Sequence, residues 1–473
     1  MDEAERGRVT CDRQVPDLAM PKAANLYVVH CIDAEGPLYE SIDATFSRLH
    51  DILGLDVEPT PENLARIQRA ELDLGGLEGT AARIFSPQLL AYKETWDKID
   101  GMLDEMQSMD FRQRYADSTG SGWIYSWFPV DHVGYVDNPR RRDIGYHNVF
   151  DHYQQRLRSV GSERDEVNWH FHAMSTYREA HVCATSFLRS PHLLEVLTRR
   201  IIEREWFPSV FRAGCHSERP DSHWFLEQWI PFDFSNQATA TPGDEEQRDL
   251  ADGRFGDWRR APATWGSYHP DHDDYQVPGA CRRTIFRCLN VGTRVRLLTQ
   301  DEVDRAFARA ASGLPTILAF TNHDFRDMRT DVAAVHRMIT VASRNYPTVP
   351  WFASGAGSAA RQTLPAPVAA DMDLTMELDN SNAGRIELRI RTSTDNFGPQ
   401  PFLAVQTHDR RFLTDNLDVQ VPRREWSYVF DRETIRPESL ALIGAAATSP
   451  NGSTCVAVHR ADGSLVAKRR RAL

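Results

Sequence analysis

Asp33 and Glu35 lie one residue apart, directly after an apolar run at 26–29. Residues i and i+2 of a strand project to the same side, so the two acids converge. Two buried carboxylates repel, and one takes up a proton unless a cation sits beside them. A divalent ion satisfies both, because one acid can ligate it while the other accepts a proton from a water the ion has acidified. An exposed strand end with two solvated acids is also compatible with the pair. His170 and His172 repeat the same spacing, and neutral imidazoles so placed can chelate one ion. Arg212 and Asp233 lie in two further short apolar segments, where an arginine near a carboxylate can orient groups around such an ion. His323 follows the apolar run 317–320 and is itself followed by Asp324, Arg326 and Asp327. A histidine at a strand end beside acids is a candidate general acid. Taken singly, each set is also what an ordinary ion pair or core histidine looks like. Together they form an ordered constellation, from which His30 drops out as a packing residue because it shares no strand face with Asp33 or Glu35.

The elements that must position these residues alternate. "NLYVVHCID" predicts a first buried strand, stopped by Gly36 and Pro37. A helical, polar-rich pattern fills 41–107, with Thr60 as an N-cap and Pro61 in the first turn. Short strands are predicted at "EVNWHFH", "SVFRAGCH" and "WIPFDFSN", and a strong one at "TILAFTNH". Helices are predicted at "HNVFDHYQQRLRSV", at "SPHLLEVLTRRIIEREWFP" with Ser190 as N-cap, and at "DVAAVHRMITVASRNYP". This alternation is an α/β pattern, a mostly parallel sheet or a barrel, whose ligands bind at the carboxyl ends of the strands. Residues 237–280, rich in Gly, Asp, Pro, Trp and His, read as a long functional loop. From it Trp265 and His269 are assigned to substrate binding, with Asp324 and Arg326. Trp123, Tyr125, Trp127 and Trp258 offer flat faces to a sugar or fill the core. Residues 355–370 read as a linker. Beyond it the period becomes two, and six strands over 371–473 predict an accessory β-sandwich. Residues 1–20 read as a flexible tail, and the terminal "KRRRAL" as a frayed basic end.

At 473 residues the chain exceeds one ordinary core. Its net charge of −12 argues against nucleic acid or an anionic membrane surface as partner. Seven cysteines, an odd number without a CxxC pair, argue against a disulfide framework or zinc knuckle and fit a reducing cytoplasm. The polar N-terminus has no signal-peptide core, and no apolar run reaches membrane-spanning length. A cytoplasmic protein with a small-molecule or saccharide substrate is expected, and an oligomer is left open.

In this order the motifs resemble those of the polysaccharide deacetylases, over about 25–350 and with a large helical insertion at about 41–160. The resemblance implies a deformed (β/α)7 barrel at 21–354. It makes Asp33 the catalytic base and Glu35 a metal ligand. "EVNWH" is similar to the family's second motif, which makes His170 a ligand. The family's second histidine falls four residues later, at Met174 here, so His172 is the nearest substitute and His181 the reserve. Arg212 matches the third-motif arginine without its usual proline, and Asp233 resembles a later aspartate that pairs with such groups. The last motif, a strand ending in His-Asp, makes His323 the acid for the leaving amine. The implied cofactor is a divalent ion, zinc first, with nickel, cobalt or iron as alternatives. The implied activity is N-deacetylation of an acetamido sugar or a sugar-derived biosynthetic intermediate. Hydrolysis of a non-sugar C–N bond, as in allantoinase-like relatives, and a silent carbohydrate-binding role are the other readings.

Overall fold

Nine short strands carry apolar residues on both faces, which only a sheet covered on both sides can bury. The computed structural model describes residues 22–135, 137–173, 187–190, 192–240, 256–364 and 371–471. The strands are β1 (Leu26–Ala34), β2 (Ser126–Pro129), β3 (Glu166–Val167), β4 (Trp169–Phe171), β5 (Val210–Ala213), β6 (Phe232–Asn236), β7 (Thr284–Asn290), β8 (Thr316–His323) and β9 (Trp351–Ser354). They pair in parallel in the order β3-β2-β1-β8-β7-β6-β5-β4, with β9 beside the first half of β1. A parallel bridge from Val130, directly after β2, to His170 on β4 brings the path back on itself. The result is a nearly closed barrel with helices outside it.

Register decides what faces inward. Asp33 pairs with His323 on β8 and with Phe128 on β2, and His170 pairs with Arg212. Paired residues share a face, so these polar side chains all point into the carboxyl-end mouth of the barrel. Below them the interior is apolar, filled by Val29, Cys31, Val210, Phe232, Phe286 and Ala319. The helix Ala356–Thr363 stoppers the far end with buried Ala356, Ala359 and Ala360. This helix stands where a linker was expected. Small residues, read there as flexibility, are instead what lets a helix approach the barrel floor. Glu166 on β3 holds its first turn, accepting the N–H groups of Gly357 and Ser358 at 2.8 and 2.9 Å.

Other expectations shift for similar reasons. The segment 41–160 is not one helical insertion, because β2 lies inside it and belongs to the barrel. Helices between Ile42 and Leu90 form their own small core around Phe46, Leu49, Ile67 and Phe85. Thr60 caps its helix as expected, through the Asn63 N–H at 3.1 Å. Ser190 does not cap the next predicted one, which starts at Leu193 after His192. β7 and β9 have no counterpart in the sequence reading. No described helix is long and apolar enough to cross a membrane.

The C-terminal part is antiparallel. It comprises β10 (Leu374–Asp379), β11 (Ile386–Thr392), β12 (Phe402–Thr407), β13 (Phe412–Leu413), β14 (Asp418–Val421), β15 (Glu425–Phe430), β16 (Leu440–Thr448), β17 (Thr454–Arg460) and β18 (Leu465–Arg471). Two sheets, β10-β11-β15-β14 and β13-β12-β16-β17-β18, share one apolar core. All six expected strands are present. The basic end that reads as frayed is β18, whose Arg470 pairs with Asp373 at 2.6 Å. The five-stranded sheet packs on the barrel side through Phe402, whose ring lies 5.1 Å from Trp229 and 5.7 Å from Phe207.

Removing the buried Glu166 carboxylate leaves two amides of the stopper helix unpaired. Glu166→Ala is expected to lower the unfolding free energy by about 1–3 kcal/mol, measured by urea denaturation. An unchanged midpoint would show that the helix does not hold the barrel floor.

Candidate metal centre

The loop after β1 delivers Glu35 to the same side as Asp33, and both carboxylates are buried, at 3% and 1% exposure. Asp33 is held by Arg212, whose Nε and Nη2 donate to its two oxygens at 2.7 and 3.0 Å. Thr321 donates a third bond at 3.3 Å. Burial alone would raise the Asp33 pKa, but Arg212 and His170 overcome it and hold the acid well below the usual carboxylate range. Glu35 divides its oxygens. Oε2 takes Arg142 at 2.5 Å, while Oε1 lies 3.3 Å from His172 Nε2 and 3.7 Å from His170 Nε2. Here too burial is outweighed, by Arg142 and then His172, and the acid stays ionised.

The two imidazoles meet through Nε2 atoms 3.0 Å apart. His170 Nδ1 is 3.0 Å from the Arg212 carbonyl, which only accepts, so Nδ1 carries the proton and Nε2 keeps its lone pair. His172 Nδ1 is buried without a partner among the described residues. A proton there likewise frees Nε2. Glu35, His170 and His172 therefore present three ligand atoms to one point, all within 4.8 Å of one another. A tetrahedral ion with bonds of about 2.0–2.1 Å sets its ligand atoms about 3.3 Å apart, which the three separations bracket. The donor set fits a divalent ion. His181, the reserve ligand, lies outside the described residues.

His323 completes the mouth. Its Nε2 is 3.7 Å from Glu35 Oε1 and 3.9 Å from Asp33 Oδ2. Burial pulls its pKa down to about 4 against the pull of both acids, so the ring is neutral near pH 7.

Four assigned residues sit elsewhere. Asp233 pairs in register with Phe211, so it takes the face opposite Arg212 and joins a separate buried network with Arg283 and Glu218. Arg212 instead donates to the Phe234 carbonyl at 2.6 Å. Asp324 does not face a substrate. It is fully buried and clamps the loop after β1, accepting the Glu35 and Gly36 N–H groups at 2.9 Å each and the Tyr153 hydroxyl at 2.7 Å. Trp265 is buried, donates to the Glu302 carbonyl at 2.8 Å and lies under Arg287. His269 bonds the Arg283 carbonyl and opens on a different pocket, shared with Phe397 and Arg423. Trp123, Tyr125, Trp127 and Trp258 are core residues. Arg326 does line the central pocket, together with Asp33, Glu35, His172 and His323.

Sequence reasoning missed Arg142, although three successive arginines at 140–142 flag an unusual loop. It also missed His216, which enters the pocket from the turn after β5. Cys215 and His216 both adopt left-handed backbone there, with φ of 47° and 51°. Strain of that kind collects at functional sites. Gly214 opens the turn because a side chain would not fit: a Cβ there would lie 2.4 Å from the His172 ring.

Gly214→Ala is therefore expected to displace His172 and weaken metal affinity about 10–100-fold, read by metal analysis after dialysis. Glu35→Ala and His170→Ala are expected to lose the ion outright. Full metal content in all three would exclude this centre. No family model, curated protein or solved structure matches the chain, so what the centre does is read from its own geometry.

Proposed function

We propose that the protein is a metal-dependent amide hydrolase of the deacetylase type, built on a deformed (β/α) barrel. The observation that carries this reading is the convergence of three ligand atoms with Asp33 and His323 beside them, at the mouth of a barrel closed below. Zinc suits two nitrogens and one carboxylate with an open position. Held by Glu35, His170 and His172, the ion would polarise an acyl carbonyl and lower the pKa of a water.

The chain's own groups supply the rest. Asp33, kept ionised and oriented by Arg212, accepts the proton of the attacking water. His323, neutral near pH 7, does not carry the imidazolium proton that a standing general acid would donate. It takes at Nε2 the proton that Asp33 has accepted and passes it to the departing nitrogen, which returns both groups to their starting states. The apolar lower barrel and the stopper helix exclude water from beneath, which strengthens each electrostatic contact.

An acetamido sugar is the first substrate class proposed. Tyr92 and Phe325 are the aromatic rings in the pocket lining and could stack on a pyranose ring; hydrolysis of a non-sugar C–N bond is the alternative.

Acyl release from a panel of N-acetyl sugars and small amides tests the reading. Asp33→Asn and His323→Ala are each expected to lower kcat about 10²–10⁴-fold while the ion stays bound. Full turnover in both variants would sink the acid–base assignment, and a metal-loaded protein inert on every amide would sink the function.

A further inference from the structure

The pocket above the centre has an approximate volume of 170 Å³, and its lining is crowded with arginine. Arg48, Arg140, Arg142, Arg294 and Arg326 all line it. Once Asp33 is paired with Arg212, two carboxylates form ion pairs with these five guanidiniums among the described residues. Glu35 takes Arg142, and Glu40 is shared by Arg48 and Arg140, the latter at 3.7 Å. Arg294 and Arg326 have no carboxylate partner among the described ion pairs; their Nε atoms donate to the carbonyls of Ile84 and Leu89 at 3.0 and 3.2 Å. Arg48 donates to the Tyr92 hydroxyl at 2.9 Å, and Arg326 lies 5.3 Å over that ring.

Several donors are left over. Arg140 Nε, Arg142 Nε and Nη1, and Arg294 Nη2 are buried with no hydrogen-bond partner among the described residues. Burial and neighbouring Arg48 push Arg140 down to about 9 and Arg294 to about 10. Against its burial, Arg48 and Arg326 pull the Tyr92 hydroxyl down to about 7, which offsets part of this charge; the remainder is costly unless an anion joins it. Planar guanidiniums with free N–H groups match the oxygens of a phosphoryl group, and a multiply charged one offsets more than one of them.

We infer that this lining is a phosphoryl-binding subsite and that the substrate carries a phosphate, as monoester or diester, a few ångströms from the bond attacked at the ion. The identity of the attacked bond rests on the amide-hydrolase reading; the anion site stands on the arginines alone. Arg48 comes from the helices between β1 and β2, Arg140 and Arg142 from the loop between β2 and the helix Asn148–Ser159, and Arg294 and Arg326 from the loops after β7 and β8, which gives these connecting segments a role in choosing the substrate.

Calorimetric titration of the metal-loaded protein with inorganic phosphate and with acetate tests the site. Phosphate is expected to bind more tightly than acetate. Arg140→Ala and Arg294→Ala are each expected to weaken it about tenfold with metal content unchanged. Arg294→Lys, which keeps the charge, covers the case in which the alanine variant fails to fold and is expected to retain part of the affinity. Absence of phosphate binding, or binding equal in the arginine variants, would overturn the subsite, the second result placing phosphate on the ion. Preference for acetate would overturn the phosphoryl assignment. In the kinetic arm, N-acetylglucosamine 1-phosphate is expected to exceed N-acetylglucosamine in kcat/KM, with the ratio collapsing in Arg294→Ala. Phosphate binding that follows the arginines while neither sugar is hydrolysed would uphold the subsite and remove the hydrolase reading.

Discussion

Two ionised carboxylates buried side by side must be neutralised, and the way they are neutralised organises this molecule. Arg212 reaches from β5 across the barrel and occupies both oxygens of Asp33. Arg142, from the loop before the helix Asn148–Ser159, takes one oxygen of Glu35 and leaves the other facing two imidazoles. That asymmetry separates the roles of the acids. Asp33 has both oxygens engaged by Arg212 and is fixed in place, as the proposed base would need to be. Glu35 has one oxygen free and can ligate. Breaking a buried pair of this kind by deleting one partner costs about 3–5 kcal/mol, so stability and site geometry rest on the same contacts.

The barrel strands and the segments that follow β1 and β2 divide the work. Strand register stacks an apolar layer under a polar one, and a helix of small residues closes the floor. The pocket roof comes from outside the barrel, where Arg48 and Tyr92 belong to or flank a satellite helical core and Arg140 and Arg142 lie on a loop. The candidate metal ligands thus gather at strand ends, with His170 on β4 and Glu35 and His172 just past β1 and β4, while the arginines of the pocket come from the connecting segments.

Residues that act on their immediate neighbours were legible. The i, i+2 spacing of Asp33 with Glu35, and of His170 with His172, is a property of extended backbone, and it marked both pairs before any fold was known. The capping of Thr60 and the six alternating strands after residue 371 were legible for the same reason. His30 was rightly set aside on parity: it lies on the outer face, between Asn322 at 2.9 Å and Trp123 at 3.1 Å. Composition misled where a residue type has two uses. Small residues at 355–364 marked close helix packing, and the tryptophans filled the core.

The sequence by itself determined which side chains share a strand face, because backbone pleating fixes that over two or three residues. Only the tertiary structure decided which distant cation meets which acid. Asp233 and Asp33 both end up near arginines, yet register turns Asp233 toward Arg283 and Asp33 toward Arg212. Asp324 became a clamp on the Glu35 loop, and Arg142 became the partner of Glu35 from more than a hundred residues away. Those assignments depend on how the barrel closes, which no local pattern in the chain carries.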